Sequence, residues 1–239
     1  MEAKIVKFGS LYFDHESVDV GVAYNNKPLS IGNTIPGKEI QWVKDGKTLI
    51  ADRCVCDDIS WVQLDQMGLT KGAPVFIDGR VYLCRCPKTE PAFSEWELLL
   101  NKYGEGSNLW HWNHMYFWGQ DEEDVTRNSD IARCAVRGYY AANHGCWFDK
   151  TNRVKRLGFR PVLEPMPASL KISRSLVGQK VLLYGLGGGS MTGTLEKLDD
   201  YDLFLSCLPP LPVVHSWMCL SGGMVVVPRN AVVWIRKVS

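Results

Sequence analysis

Short segments of alternating apolar and polar residues, separated by turn-forming residues, recur along the first part of the chain. Examples are KIVKFGSLYF, EIQWVKDG and APVFIDGRVYLCRC, and the turn sequences NNKP, GNTIPG and KDGK punctuate them. Alternation with a period of two is typical of strands that bury one face, and Gly, Pro, Asn and Asp favour tight turns. This part of the chain is therefore predicted to form β-hairpins, one of them turning at Asp78 and Gly79.

Two segments depart from this alternation and show helical spacing. SWVQLDQMGL has apolar residues three apart, and three candidate N-caps, Asp57, Asp58 and Ser60, lie at its start. SEWELLLNKYG begins with Ser94, carries Glu97 three residues later and is followed by Gly104 at its end. The sequence therefore predicts two short helices here.

The overall composition is that of a globular protein without a strong charge. The formal net charge of +1 creates no global field that would recruit nucleic acid or an acidic membrane. The start of the chain shows no secretion signal, and no apolar run is long enough to span a bilayer. The expectation is a protein made in the cytoplasm, whose eight Cys are thiols.

The last part of the chain has a simpler pattern than the rest. LEPMPASLKIS, with two Pro and several small residues, has the composition of a linker. Five strand-like segments follow it: QKVLLYGLG, MTGTLEKL, DLFLSCL, GGMVVVP and AVVWIRKV. Short strands at this density favour a small closed barrel. The predicted organisation is a domain at 1–165, a linker at 166–171 and a second domain at 172–239.

These five segments resemble the Sm-like family. Gly193 would allow a bend in the second strand, Leu195 and Leu198 would point inward, and Asp199 and Tyr201 precede DLFL. The resemblance implies an open five-stranded barrel that pairs edge to edge into a ring, and so a homo-oligomer.

RNA binding does not carry over with this resemblance. Sm proteins hold a nucleobase with an Asn and an Arg-Gly pair, whereas this chain has Asp202 and Arg229 near those positions. A carboxylate at a phosphate-rich site is unfavourable, so RNA is not an expected partner.

Between the helices and the linker, regular spacing is lost and aromatic residues accumulate. LWHWNHMYFW and the stretch RGYYAANHGCWFDKTNRVKRLGFRP at 137–161 mix rings with Asn, His, Asp and Arg. These residue types are enriched where a rigid scaffold displays a recognition surface. The interpretation is a ligand-binding surface, and the alternative is an ordinary loop.

This segment resembles the C-type-lectin-like fold in its formylglycine-generating-enzyme form. The matching residues are Trp110, Trp112, Arg137, Gly138, Gly158, Phe159 and Arg160. The same fold variant includes the variable ligand-binding proteins of phages. The resemblance implies that Arg137, Gly138, Gly158, Phe159 and Arg160 are structural. The two Arg are expected to brace the core against carboxylates such as Glu164 or Asp124.

The residues predicted to contact a ligand lie within these aromatic stretches. They are Trp112, His114, Tyr116, Trp118, Tyr139, Tyr140, Asn143, His144, Trp147, Phe148, Asp149, Asn152 and Arg153.

Two chemical alternatives were weighed for the cysteines. His144 beside Cys146 has the residue types of a nucleophile–base pair, without an evident third orienting group. Cys54 and Cys56, with Cys84 and Cys86 on a neighbouring predicted strand, could bind zinc or pack as small apolar residues. Core packing is preferred, and no metal or other cofactor is expected.

The sequence therefore predicts an α+β C-type-lectin-like domain followed by an all-β Sm-like five-stranded barrel. The predicted function is non-catalytic recognition by a phage- or prophage-encoded protein, cytoplasmic in the host cell or virion-associated. A protein ligand is expected and a membrane is not. One alternative is a phage inhibitor of a host defence system that binds a host protein or a signalling nucleotide. The other is an enzyme of the formylglycine-generating or thiol-dependent type.

Overall fold

The computed structural model describes residues 2–89, 94–123, 132–186, 189–207 and 215–238. About 50% of the protein is strand and 12% is helix. The chain divides into an amino-terminal unit, Met1–Met166, and a carboxyl-terminal unit, Pro167–Ser239. Within the described ranges, no helix is long and apolar enough to cross a membrane.

The amino-terminal unit contains fourteen strands and three short helices in its described part. The strands, in chain order, are β1 (Lys4–Phe13), β2 (Glu16–Val18), β3 (Val22–Ala23), β4 (Leu29–Gly32), β5 (Glu39–Asp45), β6 (Thr48–Ala51), β7 (Cys56–Asp57), β8 (Ala73–Ile77), β9 (Arg80–Arg85), β10 (Tyr116–Glu122), β11 (Arg133–Gly138), β12 (Ala141–Asp149), β13 (Leu157–Phe159) and β14 (Val162–Pro165). The helices are α1 (Trp61–Gln66), α2 (Glu95–Tyr103) and α3 (Ser107–Trp110).

The first sheet of this unit is eight-stranded and curls towards a half-barrel. Its order is β2-β1-β5-β6-β14-β9-β8, and β4 also pairs with β1. The residues after β4 bond to the β8–β9 turn: the Thr34 amide donates to Asp78 Oδ1 (2.9 Å), and the Asp78 amide donates to Asn33 Oδ1 (2.8 Å). These side-chain bonds join distant parts of the sheet around a core that includes Leu11, Trp42 and other fully buried residues.

The second sheet is six-stranded, in the order β12-β11-β10-β13-β7-β3. Strands β10, β11 and β12 form an antiparallel meander, whereas β13 runs parallel to β10. This sheet carries the aromatic segments, and β12 is its edge strand. The stretch at 137–161, which shows no regular spacing in the sequence, is therefore largely strand. It lacks a single apolar period because its residues pack against two different cores.

Of the three candidate caps for α1 the structure uses Ser60, and the Ser94 cap predicted for α2 is confirmed. The Ser60 side chain caps α1 in a capping box, and the Ser94 hydroxyl accepts from the Glu97 amide (3.0 Å) at the start of α2. Helix α2 ends at Gly104. Buried Arg85 of β9 bonds to both carboxylate oxygens of Glu95, each at 2.7 Å, which ties α2 to the first sheet.

The described part of the carboxyl-terminal unit forms one antiparallel sheet of six strands. They are β15 (Lys180–Gly185), β16 (Ser190–Leu198), β17 (Asp202–Ser206), β18 (Cys219–Ser221), β19 (Met224–Pro228) and β20 (Val232–Lys237). Their order is β18-β19-β17-β16-β15-β20, and single 3-10 turns lie at Arg174–Leu176 and Arg229–Ala231.

The predicted fold class, α+β followed by a five-stranded Sm-like barrel, is wrong. The first unit is mostly β, because its helices occupy only short stretches between many strands. In the second unit the five predicted strands form, but the inserted segment adds β18 beside β19. The sheet is open, and β20 is bonded on its outer side by the predicted linker: the Leu170 amide donates to the Ile235 carbonyl (2.9 Å).

Candidate ligand-binding surface

The turn between β11 and β12 carries two adjacent tyrosines, Tyr139 and Tyr140, and its residues Gly138 and Tyr139 have positive φ. Gly138 has φ +102°, and a Cβ there would lie 2.4 Å from the Met115 carbonyl oxygen. Tyr139 has φ +73°, a conformation that costs a bulky residue about 1–3 kcal/mol. The Tyr139 amide donates to the carbonyls of Trp112 (3.0 Å) and Met115 (3.1 Å), so the loop before β10 holds the turn in place.

Tyr139 is the centre of a stack of rings. Its ring lies parallel to that of Tyr116, with centroids 4.7 Å apart and planes 15° apart. Tyr140 and His114 contact Tyr139 edge to face, at 4.8 Å and 5.6 Å. Tyr140 is 70% exposed. Its ring contacts Tyr139 on one side, and its other side is accessible to a binding partner.

The stack continues along β12, where alternate side chains share one face. His144 lies 5.1 Å from Tyr140, and Phe148 lies 5.2 Å from Tyr116. Cys146 lies between His144 and Phe148 in this alternation and is half-buried. We call the set His114, Tyr116, Tyr139, Tyr140, His144 and Phe148 the aromatic surface.

Two titratable groups at this site, Tyr116 of the aromatic surface and neighbouring Cys146, favour their neutral forms. Burial, with a contribution from Cys146, raises the pKa of Tyr116 to about 12. Burial also raises the pKa of the Cys146 thiol, although its hydrogen bond with Tyr116 opposes the shift. A thiol with a raised pKa is a poor nucleophile at neutral pH, and its hydrogen bond goes to Tyr116 rather than to His144.

Three predicted ligand residues around these rings are partly or wholly committed to the fold. Trp118 is fully buried and donates from Nε1 to the Ile59 carbonyl (2.8 Å), so it is a core residue without surface for a ligand. Trp112 is half-buried and donates to the Glu105 carbonyl (2.8 Å). Trp147 is half-buried and pairs with Ala135, so it points to the face opposite His144 and Phe148.

The remaining predicted ligand residues lie at the ends of β12. Asn143 is exposed and donates to Glu105 Oε1 (3.3 Å). Asp149 accepts from the Thr151 amide (2.8 Å) and so closes the next turn, in which Asn152 is exposed.

Arg153 is a bracing residue. Its guanidinium donates to the Asp58 carbonyl (2.6 Å) and the Tyr24 carbonyl (2.9 Å) and lies over the Tyr24 ring. Hence the structure does not bring Arg153 to the aromatic surface.

Arg160, one of the two Arg expected to pair with carboxylates, binds backbone carbonyls instead. Fully buried Arg160 donates to the carbonyls of Asp52 (3.1 Å) and Trp110, and its guanidinium lies 4.6 Å from the Phe117 ring centroid. Burial lowers the pKa of Arg160 to about 10. Arg137 donates to the Thr89 carbonyl.

One of the carboxylates proposed for this bracing has another partner. Glu164 pairs with Arg85, and Asp124 lies outside the described residues. Gly158 sits against β7, where a Cβ would lie 2.2 Å from the Cys56 carbonyl oxygen, and neighbouring Phe159 is fully buried.

The two Cys-X-Cys pairs do not converge. Cys56 lies in β7 of the second sheet and Cys84 in β9 of the first, so the expected adjacency of their strands is wrong. Cys54, Cys56, Cys84 and Cys86 are all buried free thiols. In the ranges that the structure describes, no three His, Cys, Asp or Glu side chains cluster as metal ligands would.

The predicted loop residues of the carboxyl-terminal unit form a hydrogen-bonded turn. Asp199 Oδ1 accepts from the amides of Tyr201 (3.0 Å) and Asp202 (2.8 Å). Arg229 donates to the Asp199 carbonyl (3.1 Å), and Tyr201 is 81% exposed. Arg229 therefore has a structural task within the turn.

Sequence reasoning did not include Cys146 among the ligand contacts. The signal for it was present, because His144, Cys146 and Phe148 alternate along one strand and must share a face.

Comparison with models of protein families, with curated proteins and with solved structures finds no match for this chain. The two family resemblances therefore stay predictions that rest on their motifs.

Proposed function

We propose that this protein is a non-catalytic recognition protein and that the aromatic surface binds a protein ligand. The observation that carries the proposal is the exposed Tyr140 ring, fixed by Tyr139 and His144 beside a strained turn. Tyr side chains concentrate binding energy at interfaces, and a preorganised ring loses little entropy on binding.

The electrostatics favour recognition over thiol chemistry. Around neutral pH the Tyr116 hydroxyl and the Cys146 thiol stay protonated, because burial raises the pKa of both. These two neutral groups and the ring faces around them suit an aromatic or polar peptide segment.

Selection from a random-peptide display library tests the proposal. Peptides enriched on the wild-type protein should lose about thirtyfold in affinity or more for Tyr140→Ala and His144→Ala, as hot-spot residues do. Tyr201→Ala removes an equally exposed Tyr outside the aromatic surface and should bind as the wild type does. Failure to enrich any peptide, or enriched peptides that ignore Tyr140→Ala, would contradict the proposal.

We also propose that copies of the chain associate through the carboxyl-terminal sheet. The edge strand β18 supports this part of the proposal, because all three of its residues are exposed.

A further inference from the structure

A second concave site lies in the amino-terminal unit, in the curled first sheet. It is a groove of about 540 Å³ between the β5–β6 turn and the β8–β9 turn. This volume is within the range of small-molecule sites. We call it the basic groove, and none of the residues of the aromatic surface lines it.

The apolar part of the basic groove is built from aromatic and aliphatic side chains. Phe8 and Tyr82 have ring centroids 5.7 Å apart, and Val6 and Pro165 extend the apolar surface beside them. In the described residues the Tyr82 hydroxyl has no hydrogen-bond partner, and it is not one of the buried orphan groups, so solvent or a ligand reaches it. A planar ring with polar edges suits this lining.

Three cations surround this apolar surface. Lys44, Lys47 and Arg80 line the basic groove, are exposed, and form no ion pair with any residue in the described ranges. The one carboxylate among the lining residues, Asp78, already accepts two hydrogen bonds from Thr34, which lower its pKa. Three cations outnumber this one carboxylate, so the net charge of the residues that line the groove is positive.

The strand register places a fourth cation beside Lys44, outside the lining of the basic groove. Lys4 of β1 lies directly opposite Lys44 of β5, and both side chains are exposed. Like charges directly opposite each other destabilise an antiparallel pair. A bound anion would relieve this repulsion, so charge and register point to the same ligand class.

We infer that the basic groove binds a free nucleotide. Its base would lie on half-buried Phe8, with the hydroxyl of buried Tyr82 at the edge of the base, and its phosphate would pair with Lys44, Lys47 and Arg80. Several unpaired cations suit a phosphate with its charge near −2 better than a single carboxylate. Aromatic faces accept nucleobases by stacking, with little dependence on which base is present.

Isothermal titration calorimetry with the four ribonucleoside monophosphates tests this inference on the full chain. At least one should bind, and adenosine and inorganic phosphate should each bind about tenfold more weakly or worse, since each offers only half of the contacts. Lys44→Gln and Arg80→Gln should each weaken nucleotide binding about tenfold through loss of a charge-assisted contact.

Lys7→Gln is the matched control. Lys7 is an exposed lysine on β1 between Val6 and Phe8, on the opposite face of the strand, and its loss should leave the affinity unchanged. Three outcomes would overturn the inference: no binding of any monophosphate, affinity unaffected by Arg80→Gln, or inorganic phosphate binding as tightly as a nucleotide. Preferential binding of laurate or of a short single-stranded RNA would also overturn it, by assigning the groove to a lipid or to nucleic acid.

Discussion

At the scale of single residues, Gly138 is the position where backbone conformation most directly supports the aromatic surface. Gly138→Ala should destabilise the protein by about 3 kcal/mol or more, because an L-residue at positive φ costs about 1–2 kcal/mol and the new Cβ would meet the Met115 carbonyl at 2.4 Å. Urea unfolding followed by tryptophan fluorescence measures this loss.

Gly37 provides the matched control for this substitution. It has φ +86°, yet a Cβ there would meet nothing within 4 Å. Gly37→Ala should therefore cost about 1–2 kcal/mol, from the backbone alone. Equal losses at the two glycines would mean that the contact with Met115 carries no energy and that the turn is free to adjust.

At the scale of elements, the edge strand β18 is the feature that should govern self-association. Leu220 is 46% exposed in this strand, whose outer backbone groups can pair with a second copy. Native mass spectrometry of the wild type should give twice the chain mass or a higher whole-number multiple of it. Leu220→Lys should give single chains, because a charged side chain on an edge strand discourages pairing.

Leu186→Lys controls for the added charge, since Leu186 is 56% exposed in the same unit but lies in a turn. Leu186→Lys should keep the same number of chains per assembly as the wild type. A wild-type protein that is already a single chain at micromolar concentration would refute association through β18.

The elements that sequence predicted well are those that local chemistry decides. The Ser94 cap, the Gly104 end of α2 and the turn at Asp78 and Gly79 follow from residues a few positions apart. Which sheet each strand joins cannot be predicted from neighbouring residues, because it depends on pairing between distant parts of the chain. Phe159 in β13 and Val162 in β14 are three residues apart, yet they belong to different sheets.

The aromatic surface shows the same division between local and distant information. The shared face of His144 and Phe148 follows from alternation within β12. The stack of Tyr116 on Tyr139 depends on the register that pairs Tyr116 with Gly138, which no local pattern specifies. For the same reason Trp118 was mistaken for a surface residue: its composition suited a binding surface, and only the sheet shows that it faces the core.

At the scale of the whole molecule, buried thiols couple stability to alkaline pH. Burial raises the pKa of Cys54 and Cys134 to about 12, and it raises the pKa values of Cys56, Cys84 and Cys86 as well. In the unfolded chain these thiols ionise near pH 8.5, so between about pH 8.5 and 10 the native state binds more protons than the unfolded state. The free energy of unfolding must then fall as pH rises through this window.

Urea unfolding at pH 7.5, 8.5 and 9.5 under reducing conditions should show this fall, with a slope of up to about 1.4 kcal/mol per pH unit for each thiol. Cys84→Ala should lower the free energy of unfolding at pH 7.5, because it leaves a cavity. It should also make the fall with pH shallower, because one of the contributing thiols is gone. A pH-independent free energy of unfolding would show that these thiols are not shielded from solvent.

Asn33 and Thr34 form side-chain bonds with the β8–β9 turn, and we call this junction the seam of the curled first sheet. It differs from the junctions between neighbouring strands, which backbone hydrogen bonds hold together. Between paired strands, separation breaks a whole ladder of backbone bonds at once. At this seam, separation breaks only a few bonds, centred on Asp78. Asp78 and Arg80 lie on the same turn and line the basic groove. This turn therefore both joins the two parts of the sheet and forms one side of the groove. A ligand bound in the basic groove would therefore lie directly beside these few bonds.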